Sequence, residues 1–288
     1  MIKCLLLTIV LTLNACTSTP DLRPHAFIHS ENKMRQGISS YQQDNYLQAI
    51  KSFKQALTLY QSIDNQKGIL LARINLIESA LAISQFKLAQ QNLALLGNTE
   101  HLPSDLSNKI ILLKAHNSYL QEQFQDALQT LQPLLPQIQD IQTTLSAKQI
   151  DLLLTVTKFT TFAHSAEAIH WFNQLDAIMT NNSNIDFNQK ALFKRLSAHI
   201  ALQKNHQELA IPLMQQSIDI YKSMANRRAI ATCLEELSQF YYMRENIPAT
   251  HESLNRALFI RQWLKDTYKT AVLIKQLNKL EAEATLPD

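Results

Sequence analysis

The stretch Gly37-Ile38-Ser39-Ser40-Tyr41-Gln42-Gln43-Asp44-Asn45-Tyr46-Leu47-Gln48-Ala49-Ile50-Lys51-Ser52-Phe53-Lys54-Gln55-Ala56 decides the fold. Small and apolar residues recur three and four apart on each side of the polar pair Asp44-Asn45, the period of two helices separated by a tight turn. Gly37 and Tyr41 share one face of the first helix; Ala49, Phe53 and Ala56 share one face of the second. The alanines let the two helices approach closely, and the aromatic residues fill the space toward a neighbouring pair.

The same arrangement recurs along the chain. The close-packing position of the second helix falls at Ala49, Ala89, Ala127, Ala168, Ala210 and Thr250, a nearly constant interval. Four positions on stand Phe53, Leu93, Leu131, Phe172, Met214 and Leu254, and twelve before stand Gly37, Ile77, Ala115, Val156, Ala198 and Ser238. Polar turns such as Ser84-Gln85, Glu122-Gln123 and Glu245-Asn246 separate the paired helices. Self-similarity at a fixed period marks a repeat architecture. Residues 265–288 read as a closing helix and tail, because a terminal repeat needs its exposed face covered. The expected fold is all-α: an α-solenoid of about six helix-turn-helix repeats over residues 32–264 with a C-terminal capping helix.

The spacing of small, large and small residues in the second helix resembles the tetratricopeptide repeat. The usual period there is about 34 residues, shorter than the interval in this chain, so these units have longer helices or connections. Repeats four and five depart furthest, since Ser165 and Gln207 replace the turn-proximal aromatic seen at Tyr46, Phe86 and Phe124. The resemblance implies a concave groove lined by fixed positions of each first helix. Carried over, these are Met34, Ile38 and Tyr41, then Ile74, Glu78 and Leu81, then Leu112, His116 and Tyr119. Repeat four supplies Leu153, Thr157 and Thr160; repeat five Arg195, His199 and Leu202; repeat six Glu235, Gln239 and Tyr242. A Lys and Asn pattern that grips a terminal carboxylate in some members is absent, so the resemblance implies a groove that reads peptide side chains.

Composition narrows the function classes. The 288 residues include three glycines, all isolated. That excludes Gly-rich phosphate loops and the Gly-x-Ser-x-Gly elbow, and argues against β-hairpins, whose tight turns need φ > 0. Net charge is +3 and no run of five like charges occurs, so nucleic acid is not an expected partner. Of Cys4, Cys16 and Cys233, the last lies in an apolar run and reads as a small buried hydrophobe. His25 and His29 stand i, i+4 without a third ligand, and Glu235-Glu236 reads as a solvated helix face. No metal, cofactor or catalytic set is therefore expected.

The N-terminus carries an address. Lys3 precedes an apolar run from Leu5 to Leu13, too short to span a bilayer. The sequence Leu13-Asn14-Ala15-Cys16 then resembles a bacterial lipoprotein signal, with Asn14 unusual at its position. The resemblance implies a signal peptide over residues 1–15, lipid on Cys16, and a tether over residues 16–31 containing Pro20 and Pro24. Thr17, rather than Asp, after the modified cysteine implies the outer membrane, facing the periplasm. The expected role is a membrane-anchored adaptor that binds a protein or peptide in envelope assembly, pilus or secretion machinery, or cell-wall regulation. A small-molecule-binding solenoid and a cell-wall-active enzyme are the alternatives.

Overall fold

The computed structural model describes residues 23–97, 101–139, 145–182 and 184–284; the signal segment and Cys16 lie outside them. The described residues form α1 (His25–Gln42), α2 (Tyr46–Ser62), α3 (Gln66–Ala82), α4 (Phe86–Ala94), α5 (Ser104–Leu120), α6 (Phe124–Leu131) and α7 (Pro136–Gln139). They continue with α8 (Ala147–Phe162), α9 (Ala168–Asn181), α10 (Phe187–Gln203), α11 (Gln207–Ser223), α12 (Arg227–Tyr242), α13 (Ile247–Trp263) and α14 (Thr267–Ala284). Neighbours pack in series as six antiparallel pairs, α1/α2, α3/α4, α5/α6, α8/α9, α10/α11 and α12/α13, closed by α14. The fold is a tetratricopeptide-like α-solenoid.

The long period has a plain origin. In the regular stretches, helices of nearly equal length alternate with connections of three or four residues. Half-repeats therefore match in length, and the turn residue recurs at equal steps: Asp44, Asp64 and Ser84, and again Asn205, Ala225, Glu245 and Lys265. All of these, with Glu122 and His164, adopt left-handed backbone at φ between 49° and 62°. The next N–H then bonds the carbonyl five positions back, as in Asn45 to Ser40 (2.9 Å) and Asn246 to Tyr241 (3.0 Å). This is the Schellman closure of a helix C-terminus. Glycine scarcity therefore does not mean a scarcity of φ > 0 in this chain. Nine residues with side chains accept a conformation costing about 1 kcal/mol or more each. Recovered C-terminal hydrogen bonds offset it, together with side-chain caps such as Asn65 on the Gly68 N–H (2.8 Å).

The repeated small positions sit where the pairs touch. Ala49, Ala89, Ala127 and Ala210 are fully buried, Ala168 is 1% exposed and Thr250 3%. A Cβ at Gly37 would lie 2.5 Å from the Phe53 ring, so α1 and α2 meet at a distance only glycine permits. Leu273, Leu277 and Leu280 of α14 cover the open face of the last pair. The N-terminal boundary moves. Pro24 precedes α1, its carbonyl accepting from the Phe27 N–H at 2.9 Å, so residues 25–31, read as tether, form the first turns of a helix.

The array winds far enough for its two ends to meet. Arg227 Nη1 donates to Asp44 Oδ2 at 2.9 Å, and the Ser84 hydroxyl donates to Asp266 Oδ2 at 3.3 Å. The Phe86 and Tyr268 rings pack edge-on at 5.3 Å, and Leu264 is buried in the same core cluster as Ile77 and Ile83. Trp263 is half exposed and lies under Arg227, whose guanidinium carbon is 4.3 Å from the ring centroid. Truncating a buried leucine costs about 2–5 kcal/mol. The double substitution Phe86→Ala, Leu264→Ala should therefore open this seam. Small-angle scattering is expected to report a larger radius of gyration with undiminished helical circular dichroism; unchanged dimensions would show that the seam does not hold the ends together.

Candidate functional site

Closure of the array forms a half-open cavity of about 680 Å³, walled by first helices from α3 to α12 and completed by α13 and α14. Its floor is aromatic. Tyr119 stacks on Phe159 with centroids 4.5 Å apart and planes at 9°, and the Phe124 and Phe162 rings meet Tyr119 edge-on at 5.6 and 5.7 Å. The Lys158 ammonium sits 4.7 Å from the Tyr119 centroid and 4.9 Å from that of Phe159, within cation–π range of both.

Opposite this floor, two ion-pair networks occupy the wall. Arg195 grips Glu236 with two prongs, Nε donating to Oε2 at 2.6 Å and Nη2 to Oε1. His199 Nε2 lies 2.9 Å from the same carboxylate, its ring held between Phe162 and Phe240. Arg261 Nε donates to Glu235 Oε1 at 2.7 Å and its Nη2 to the Thr232 hydroxyl at 2.9 Å, while Asp266 and Lys269 complete the group. Glu235-Glu236, read from sequence as a solvated face, is instead a pair of wall carboxylates, each matched to a guanidinium.

The electrostatics follow from this crowding. Burial alone would raise the Glu236 carboxyl, but Arg195 and His199 outweigh it and hold the group at about 2, a permanent anion. Burial, then the Arg195 and Arg228 charges, push the Lys158 ammonium down to about 7. The same burial, with Lys158, Arg228 and Arg195 nearby, keeps His116 well below the usual imidazole range. Cys233 is buried as expected, and burial pushes its thiol up to about 12. Among the described residues no group of three or more His, Cys, Asp or Glu is placed to hold a metal ion.

Six residues expected in a groove line the cavity: Leu81, His116, Tyr119, Arg195, Glu235 and Gln239. The others are elsewhere. Ile74 is buried in the core, Met34 and Tyr41 pack against that core, and Ile38 is exposed on α1. Glu78 pairs with Lys109, Leu112 packs on the central core, His199 stands behind Glu236, and Tyr242 donates to Glu283 at 3.2 Å. The superhelix is the reason. The cavity crosses the C-terminal ends of α3 and α5, most of α8, the N-terminal half of α10 and most of α12, so no fixed repeat position lines it throughout.

Repeat four is a separate error of register. Leu153, Thr157 and Thr160 are buried, each threonine hydroxyl donating to a carbonyl of its own helix. Leu154, Lys158 and Phe162 face the cavity instead. In the other five pairs the left-handed residue lies five before the small anchor, as in Asp44 and Ala49; here His164 lies four before Ala168. One residue is about 100° of helix, enough to exchange core face for cavity face. Counting from the turn His164-Ser165 rather than from Ala168 would have found Lys158. Arg228 had no such signal, because only the return of the last repeats upon the first brings it in.

A depressed carboxyl contributes stability above its unfolded pKa and loses it as pH falls through the folded value. Glu236→Gln leaves Arg195 buried without a carboxylate, at a cost of about 3–5 kcal/mol. In urea unfolding the parent should exceed the variant by that amount at neutral pH, with the difference shrinking from about pH 4.5 toward about 2. A difference independent of pH would overturn the assignment of an ionised Glu236.

No protein-family model matches this chain, and no curated protein matches it. Solved structures do share its fold. The Rap conjugation gene regulator of the plasmid pLS20, solved with the Phr* peptide, is similar at a TM-score of 0.64 and 15% identity, over 86% of this chain and 66% of that one. A Rap protein complexed with competence and sporulation factor gives 0.60 and 12%, over 88% of this chain and 71% of that one. This chain thus spans about two thirds of the length of those proteins and has the tetratricopeptide-like helical-repeat architecture in common with them.

Proposed function

We propose that this protein is a lipid-anchored adaptor whose central, half-open cavity captures a short segment of a protein or peptide partner. One observation carries the reading: aromatic rings and charges from four successive repeats, the third to the sixth, converge on one cavity of about 680 Å³. That volume lies within the range of small-ligand pockets. It suits a few extended residues and not a folded domain. The likeness to Rap proteins solved with the Phr* peptide and with competence and sporulation factor supports a peptide as occupant. The aromatic floor would seat an apolar side chain, and the ion-pair networks would orient backbone and polar groups around it.

The anchor rests on Leu13-Asn14-Ala15-Cys16, which resembles a lipoprotein signal. Diacyl attachment at Cys16 would hold the adaptor at the outer membrane, facing the periplasm, where tethering raises the local concentration of site and partner. Envelope assembly, pilus or secretion machinery and cell-wall regulation are the processes that such an adaptor would serve. A second reading, capture of a small molecule, is favoured by the cavity volume, which lies within the range of small-ligand pockets.

Two measurements test the reading. A display library of extended octapeptides, panned on the purified full chain, should enrich sequences that Phe162→Ala weakens about tenfold or more, as expected for losing a central aromatic anchor. Equal enrichment on parent and variant would place binding elsewhere. Labelled palmitate should enter the parent protein in a Gram-negative host and not Cys16→Ser; incorporation into the variant would overturn the anchor.

A further inference from the structure

Five basic side chains line the cavity, and three have fixed partners. Arg195 is gripped by Glu236, Arg261 by Glu235 with Asp266, and Lys269 by Glu235. Lys158 and Arg228 remain. Among the described residues neither forms an ion pair; Lys158 touches only the faces of Tyr119 and Phe159. The groups whose charge acts on Arg228 are Tyr41 and Tyr46, then Asp44 and Glu78, and those two carboxylates are engaged by Arg227 and Lys109. Of the remaining cavity carboxylates, Asp151 accepts from Gln189 at 2.9 Å and Glu122 is exposed.

Lys158 and Arg228 both line the partly desolvated cavity, and the Arg228 charge disfavours the Lys158 ammonium. Arg228 cannot shed its proton and, against burial, is held charged by Tyr41, Tyr46, Asp44 and Glu78, so the strain falls on Lys158 and His116, both displaced toward their neutral forms. An anion beside Lys158 and Arg228 would relieve both. Glu235 and Glu236 share the wall, which disfavours a dianion and leaves room for a single negative charge.

We propose that Lys158 and Arg228 form a carboxylate-binding subsite, which clamps one carboxylate of the occupant above the Tyr119–Phe159 stack. This rests on the peptide reading and deepens it: the recognised group is the C-terminal carboxylate of a short segment or an Asp or Glu side chain within it. A free small carboxylate would use the same chemistry. Lys158 is faced by His116 and Tyr119 from α5, Asp151 from its own helix, Arg195 from α10, and Arg228 with Glu236 from α12. A bound carboxylate favours the ammonium form, so binding takes up a proton and weakens as pH rises above about 7.

The test uses the immobilised full chain and four probes. They are a pentapeptide library lacking Asp and Glu with free C-termini, the same library as C-terminal amides, an amide library containing Asp and Glu, and phenylacetate. The parent should retain one of the carboxylate-bearing libraries about tenfold more than the uncharged amides, the gain expected of a charge-assisted contact. Lys158→Gln with Arg228→Gln should abolish that preference while keeping weak retention of the uncharged library. Lys158→Arg should keep the preference but lose its pH dependence between about 6 and 8, since arginine does not titrate there. Equal retention of all three libraries, or a preference surviving the double substitution, would overturn the subsite. Retention of phenylacetate alone, dependent on Lys158, would uphold the subsite and remove the peptide reading. Retention of no probe would remove both.

Discussion

Close approach of two helices at one small residue per pair is the contact on which the rest of the molecule depends. Ala49, Ala89, Ala127 and Ala210 are fully buried, and Thr250 and Ala168 nearly so. A larger side chain there would drive α1 from α2, or α10 from α11, by more than a packed interior tolerates, since such interiors leave few voids and resist strain. Because the contact recurs at almost constant spacing, each pair sits on its predecessor with nearly the same rotation. Small rotations accumulate into a superhelix. The accumulated turn is what returns α12–α14 to α2–α4 and forms the cavity. Site and seam are thus consequences of one repeated distance.

The turns cooperate in this. Short connections with a left-handed residue leave the chain little freedom between helices. Longer connections would let adjacent pairs choose their own angle, and the ends would not meet in register. The irregular middle, where α6 is short and α7 is a single turn, lies between the two stretches of chain that form the seam and belongs to neither. Variation there is tolerated because α8, α10 and α12 still face the cavity.

The chemistry of the cavity reflects the same geometry. Charges scattered over α5, α8, α10, α12 and α13 are distant in sequence and would each be solvated on an isolated hairpin. Wound around one centre they meet in a partly desolvated space, where pairing decides their state. Glu236 becomes a fixed anion because Arg195 and the His199 ring flank it, and Lys158 becomes titratable near neutrality because burial, then the Arg195 and Arg228 charges, outweigh Glu236. Binding and proton uptake are coupled at such a site as a matter of electrostatics, whatever the occupant.

Fold and packing were legible in the chain because they are local: a small residue, a large one four on, and a polar turn at a regular interval are conditions on neighbours within one repeat. Leu81, His116, Tyr119, Arg195, Glu235 and Gln239 followed from the same reasoning, since their orientation on a first helix depends mainly on the pair to which they belong. Lys158 was missed through a one-residue change in turn offset, which rotates a helix face by about 100°. Arg228, the matched carboxylates of Glu235 and Glu236, and the cavity itself could not be read by any counting along the chain. They depend on a rotation summed over six pairs, and only the tertiary structure carries that sum.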